Sequence, residues 1–85
     1  MKYRVEFTTA AARQVRKLEP VVRRRVFAAL AALESEPRPS GVKKLAGFDD
    51  AWRIRVGDHR VLYEVEDAVV RVTVFRVGHR RDVYS

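Results

Sequence analysis

A chain of 85 residues holds too little material for two separate cores, so a single domain over residues 1–85 is expected. The absence of cysteine excludes disulfides, thiol nucleophiles and thiolate metal sites, and two scattered histidines make no metal set, so no cofactor or metal is expected. With 18 Lys and Arg against 11 Asp and Glu the net charge is +7, carried mostly by arginine, which suits phosphate contacts and points to a polyanionic partner, nucleic acid being the commonest.

The N-terminal "MKYRVEFTTAAARQ" has charges at residues 2, 4 and 6 and no apolar leader segment. No apolar run approaches the roughly 18 residues of a membrane span, so the expected location is the cytoplasm, without membrane contact. "KYRVEF" alternates, with Tyr3, Val5 and Phe7 on one face of a strand and Lys2, Arg4 and Glu6 on the other. Thr8 or Thr9 can cap a helix in which Ala11, Val15 and Leu18 recur at helical spacing. Pro20 suits the first position of a second helix, Pro20 to about Ser35, with Val22, Val26, Leu30 and Leu33 on one stripe. The two helices are expected to form a hairpin covering the apolar face of a sheet.

"SEPRPSG" breaks the helical pattern, and "VKKLAGFDD" leads irregularly into three strands, about Trp52 to Val56, His59 to Glu66 and Val69 to Val77. Gly57-Asp58 and Asp67-Ala68 are short enough for hairpins, and Gly57 suits a type II′ turn. The fold class is therefore α+β: a small antiparallel sheet packed by two N-terminal helices, in the order β-α-α-β-β-β.

A two-residue turn at Gly57-Asp58 sets Arg55 opposite Arg60, Ile54 opposite Val61, Arg53 opposite Leu62 and Trp52 opposite Tyr63. Strand alternation then gives Trp52, Ile54, Val61, Tyr63 and Val65 to the core, and Arg53, Arg55 and Arg60 to the opposite face. Extending the register through Asp67-Ala68 pairs Tyr63 with Val72, Val61 with Val74, Glu64 with Arg71, Leu62 with Thr73 and Arg60 with Phe75. Arg55 facing Arg60 is a like-charge pair that destabilises the sheet, and an anionic ligand would relieve it. "VGHRRDVYS" follows the last strand, so His79, Arg80, Arg81 and Tyr84 are expected at the end of the sheet where Arg60 lies.

These residues resemble the RelE branch of the RelE/ParE superfamily, the toxins of bacterial type II toxin–antitoxin pairs. The resemblance rests on "WRIRVGDHRVLYEV", "VFRVGHRRDVY", the "KKLAG" lead-in and the element order, and covers nearly the whole chain. It implies a RelE-like fold with a concave basic face, and an endoribonuclease that cuts messenger RNA in the ribosomal decoding site without a metal. It also implies a cognate antitoxin as partner, with DNA reached only through the antitoxin complex. By position, Arg53 and Arg55 fall where such enzymes carry a basic pair, often lysines; Arg60 matches their strand arginine, Arg80 the arginine after the Gly-basic step, and Tyr84 the tyrosine near the chain end.

The chemistry accounts for these residue types. In-line attack by a ribose 2′-hydroxyl builds charge on phosphate oxygens and on the leaving 5′-oxygen, where fixed guanidinium donors bind the transition state more tightly than the substrate. Arginine keeps its proton, so none of the arginines can be the general base. Tyr84 could stack a base or take the 2′-proton if neighbouring cations lower its pKa. Arg81, His79 and Glu64 are secondary candidates; Glu64 is expected to be taken by Arg71, and His79 to lie at the surface or bind backbone. The resemblance also implies an alternative, a ParE-like gyrase inhibitor that shares the fold but not the RNase chemistry, and the arginines by themselves fit a non-catalytic RNA-binding module.

Overall fold

The computed structural model describes residues 2–83, in the order β1 (Arg4–Phe7), α1 (Thr9–Arg16), α2 (Pro20–Leu33), β2 (Lys43–Lys44), β3 (Ala51–Val56), β4 (His59–Glu66), β5 (Arg71–His79) and α3 (Arg80–Val83). One five-stranded sheet has the order β1-β5-β4-β3-β2. Three of its pairings are antiparallel and β1 runs parallel to β5, so the sheet is mixed rather than purely antiparallel. The parallel pairing arises because α1 and α2, with the strands after them, carry the chain over the sheet before β5 returns beside β1. Among the described residues no helix is long and apolar enough to cross a membrane.

The helices begin where the sequence signals them. Thr8 is the N-cap of α1, its hydroxyl accepting from Ala11 N at 3.1 Å. Pro20 opens α2, where its missing N–H is one that no helix would use. Ala11 and Val15 of α1 and Val26, Leu30 and Leu33 of α2 are buried against Val61, Tyr63, Val65, Val72, Val74 and Val77 of the two central strands. These apolar side chains form one helix-side core, the main source of stability in a chain of this size.

The β3–β4 hairpin has the expected register, with Trp52 opposite Tyr63, Ile54 opposite Val61 and Arg55 opposite Arg60. Gly57 has φ +60, while Asp58 is not among the positive-φ residues, as a type II′ turn requires. The β4–β5 register differs from the expected one. Asp67–Val69 form a 3-10 turn and Val70 adopts φ 52, so four residues make the connection and Glu66 pairs with Arg71. Tyr63 therefore faces Val74 rather than Val72 and Glu64 faces Thr73 rather than Arg71, while Val61, beyond a second shift, faces Val77 rather than Val74.

A further register shift between Leu62 and Tyr63 leaves Phe75 without a partner on β4. This bulge lets Val74 and Val77, three residues apart, both enter the core. The amide of Val77 donates to Gln14 Oε1 of α1 at 2.7 Å, beyond the stretch where β1 pairs β5.

At the other end of the sheet a polar network ties distant segments together. Arg38 is paired with both Asp50 and Asp67, the latter at 2.9 Å. Tyr3 Oη donates to Asp67 at 2.6 Å and Trp52 Nε1 to Asp50 at 2.5 Å. The Arg38 guanidinium holds the Asp50 and Asp67 carboxyls below the usual carboxylate range. Tyr63 is fully buried, its hydroxyl donates to Pro37 O at 2.8 Å, and burial pushes its pKa up to about 12.

Candidate nucleic-acid interface on the basic sheet face

Because Trp52, Ile54, Val61 and Tyr63 turn toward the helices, alternation sends Arg53, Arg55 and Arg60 to the open face of the sheet. The structure brings these three expected residues together. It also adds two that sequence reading missed: Lys43 lies opposite Arg53, and Arg76 lies opposite Leu62. One transverse row thus runs Lys43, Arg53, Leu62, Arg76 over four strands, and the adjacent row runs Arg55, Arg60, Gly78. Arg76 escaped notice because the bulge shifts its register, and Lys43 because nothing local shows that "KK" pairs as a strand.

Arg60 carries buried polar atoms. Its Nε and NH1 are buried and have no hydrogen-bond partner, and its cross-strand neighbours are Arg55 and Gly78, neither of which brings a carboxylate. Buried donors of this kind are normally satisfied, and a phosphate oxygen is one group that can accept from a guanidinium in this way. Arg55 is exposed, and its Nε donates to Gly57 O at 3.3 Å, which draws the side chain toward the turn.

The tail reaches the same end of the sheet. His59 pairs with His79, and the amide of Arg80 donates to Asp58 O at 2.9 Å, fixing the start of α3 beside the β3–β4 turn. Arg80 and Arg81 are both exposed there. Arg60 sits beside Gly78 and not beside Phe75, which the bulge has moved away. The short helix α3 itself was not expected from the sequence. Tyr84 lies outside the described residues.

The secondary candidates separate. His79 Nδ1 accepts from the Arg81 amide at 3.2 Å, the backbone contact expected of it, and this places the proton of its neutral ring on Nε2. Its ring meets the His59 ring edge-on at 5.5 Å, and register places both histidines on the helix side of the sheet, away from the arginines. Glu64 does not pair with Arg71, which binds Glu66 at 3.1 Å. It is on the arginine face, but four residues along β4 from Arg60, about 13 Å. Among the described residues no group of three or more His, Asp or Glu is placed to hold a metal ion.

The arrangement can hold a phosphodiester and stabilise added negative charge on it. Residues 5–84 match the family described as the ParE toxin of type II toxin–antitoxin systems. The chain is 39% identical to Toxin RelG of Mycobacterium tuberculosis over 88 residues, covering 99% of this chain and 98% of that protein. It is 34% identical over 89 residues to the mRNA interferase toxin RelE of Escherichia coli K12, covering 100% and 93%. It is also similar to the archaeal RelE–RelB complex of Pyrococcus horikoshii OT3, with TM-score 0.83, 30% identity and coverage of 98% and 100%.

Proposed function

The chain belongs to the ParE toxin family of type II toxin–antitoxin systems, and from that premise we propose that it is the RelE-type toxin of such a pair, an endoribonuclease that cuts messenger RNA in the ribosomal decoding site. The observation that carries this reading is Arg60, which has two buried and unpartnered donors and stands opposite a second arginine in the ladder. Binding of a phosphate there satisfies the donors and relieves the repulsion in one step.

In this reading the 2′-oxygen of the ribose loses its proton and attacks the adjacent phosphorus. The bond from phosphorus to the 5′-oxygen breaks, and that oxygen takes up a proton, leaving a 2′,3′-cyclic phosphate and a 5′-hydroxyl. The nucleophile belongs to the substrate, so the chemistry requires no metal-activated water. Arg53, Arg55 and Arg60 hold the phosphate and stabilise its growing charge, and Arg80, carried by α3 to the β3–β4 turn, does so from the edge. Tyr84 handles the 2′-proton or stacks the neighbouring base, since no arginine can act as base. Arg81 is a second cation at that edge.

The partner is a cognate antitoxin that neutralises the basic face, in line with a relative crystallised as a RelE–RelB complex, and DNA is met only through the antitoxin. The site of action is the cytoplasm, where ribosomes translate. Primer extension on messenger RNA after induction tests the proposal: cuts are expected for the wild type and a loss of about 10²–10³ in cleavage rate for Arg60→Ala. DNA-damage signalling without message cleavage would instead identify a gyrase inhibitor.

A further inference from the structure

Leu62 and Ala51 lie on the open sheet face, yet they are buried, at 7% and 0% exposure, and stand outside the helix-side core. On the same side of the molecule, Phe48 from the β2–β3 connection stacks on Phe75, the bulged residue of β5, with ring centroids 5.7 Å apart and planes 29° apart. The ring pair thus reaches from the β2–β3 loop to a strand two places beyond β3. Phe48 remains 48% exposed. Its contact with Phe75 uses one ring face and leaves surface for a second planar group.

We propose that the Phe48–Phe75 pair is a base-stacking platform for a nucleotide of the RNA strand whose phosphate Arg60 holds. The inference rests on the RNase reading above and adds to it a binding site for a nucleobase. Charge selects the occupant and its direction. Arg76 follows Phe75 directly in the chain and faces Arg53 across Leu62, so cations border the rings on the side toward the clamp. Arg60 is two residues from Leu62 along β4, about 7 Å, a step that one nucleotide can span.

On the other side Phe48 borders a groove of about 410 Å³ that Asp49, Glu64 and Glu66 also line. Glu66 is held by Arg71, but the carboxylates of Asp49 and Glu64 repel phosphates, so a strand whose base rests on Phe48 continues toward the arginines and not away from them. Aromatic rings beside a basic track form the usual arrangement for single-stranded nucleic acid, because every base offers a π-face. The bulge at Phe75 is the device that turns an aromatic residue out of the ladder at this place.

The test uses two end-labelled hexanucleotides with 2′-O-methylated riboses, one of mixed sequence and one abasic throughout, read by fluorescence anisotropy at low salt. Phe48→Leu keeps an apolar side chain at this position but removes the ring. It is expected to weaken the mixed-sequence hexamer by about 5- to 150-fold and leave the abasic hexamer unchanged, with Phe48→Trp restoring the affinity. Equal losses on both hexamers, no loss on the mixed sequence, or no binding of either hexamer by the wild type would each overturn the platform. Arg60→Ala is expected to weaken both hexamers; if it weakens neither, the clamp fails while the Phe48 comparison still decides the platform. Loss of antitoxin binding without loss of RNA binding in Phe48→Leu would assign the rings to the protein partner and overturn the inference.

Discussion

Arg55 and Arg60 stand directly opposite each other on β3 and β4, and the Nε and NH1 of Arg60 are buried without a partner. A fold selected for stability alone would not keep this pair. Replacing Arg60 by Met removes the like-charge contact and the orphaned donors together, and is expected to raise folding stability by about 1–3 kcal/mol. The same substitution is expected to lower message cleavage by about 10²–10³. Urea unfolding and a cleavage assay on one preparation check both; a destabilised Arg60→Met protein would show that the guanidinium supports the fold.

Arg53 lies in the row that joins Lys43 to Arg76. If it contacts a phosphate, Arg53→Ala should weaken single-stranded RNA binding whatever the sequence. The slope of log affinity against log salt should then fall in magnitude by about 0.7. An unchanged slope would remove Arg53 from the interface.

Arg38 joins Asp50 and Asp67, which stand 17 residues apart in the chain. Both carboxyls titrate below their ordinary value in the folded protein, so the pairing stabilises fully above about pH 4 and is lost as pH falls through the depressed folded values. Arg38→Met should therefore melt below the wild type at pH 7, and the gap in melting temperature should narrow as the pH is taken below 4. A gap independent of pH would mean that Arg38 acts through packing on Trp52, whose ring centre is 6.0 Å from the guanidinium.

Tyr63 shows the opposite sign. Its hydroxyl is buried on Pro37 O with a pKa of about 12, so the unfolded chain loses this proton first as pH rises above about 10. Tyr63→Phe should cost about 1–2 kcal/mol at neutral pH by leaving the Pro37 carbonyl without its donor. Between pH 10 and 12 the wild type should lose stability faster than the variant, so the two denaturation midpoints should converge.

Val70 adopts φ 52 and ψ 52, a left-handed conformation that a β-branched side chain opposes. Val70→Gly should relieve about 1 kcal/mol of strain, raising the melting temperature by about 4–8 °C, with RNA cleavage unchanged. A lower melting temperature would show that the Val70 side chain contributes more by packing than its backbone costs.

The features legible in the sequence are those decided by neighbours in the chain. Thr8 before an alanine-rich stretch and Pro20 at a helix start act through their own backbone groups, so the helix starts follow from local chemistry. Gly57-Asp58 suits a two-residue turn, and such a turn sets every pairing of β3 with β4, which is why the sequence alone clusters Arg53, Arg55 and Arg60. Beyond that hairpin, contacts between distant segments decide. Asp67-Ala68 looked like a second tight turn, but Val74 and Val77 must both reach the core, and the chain accommodates them with a longer turn and a bulge at Phe75 whose cost is offset partly by Gln14. That choice moved Glu64 from Arg71 to Thr73, put Arg76 in the basic row and left Phe75 for Phe48 to stack on. The parallel pairing of β1 with β5 and the Arg38 network likewise depend on residues tens of positions apart. The sequence by itself determined the arginine face, because alternation and one short turn are local; only the tertiary structure decided what surrounds it, because bulges, crossovers and ion pairs are stabilised by partners that no local pattern records.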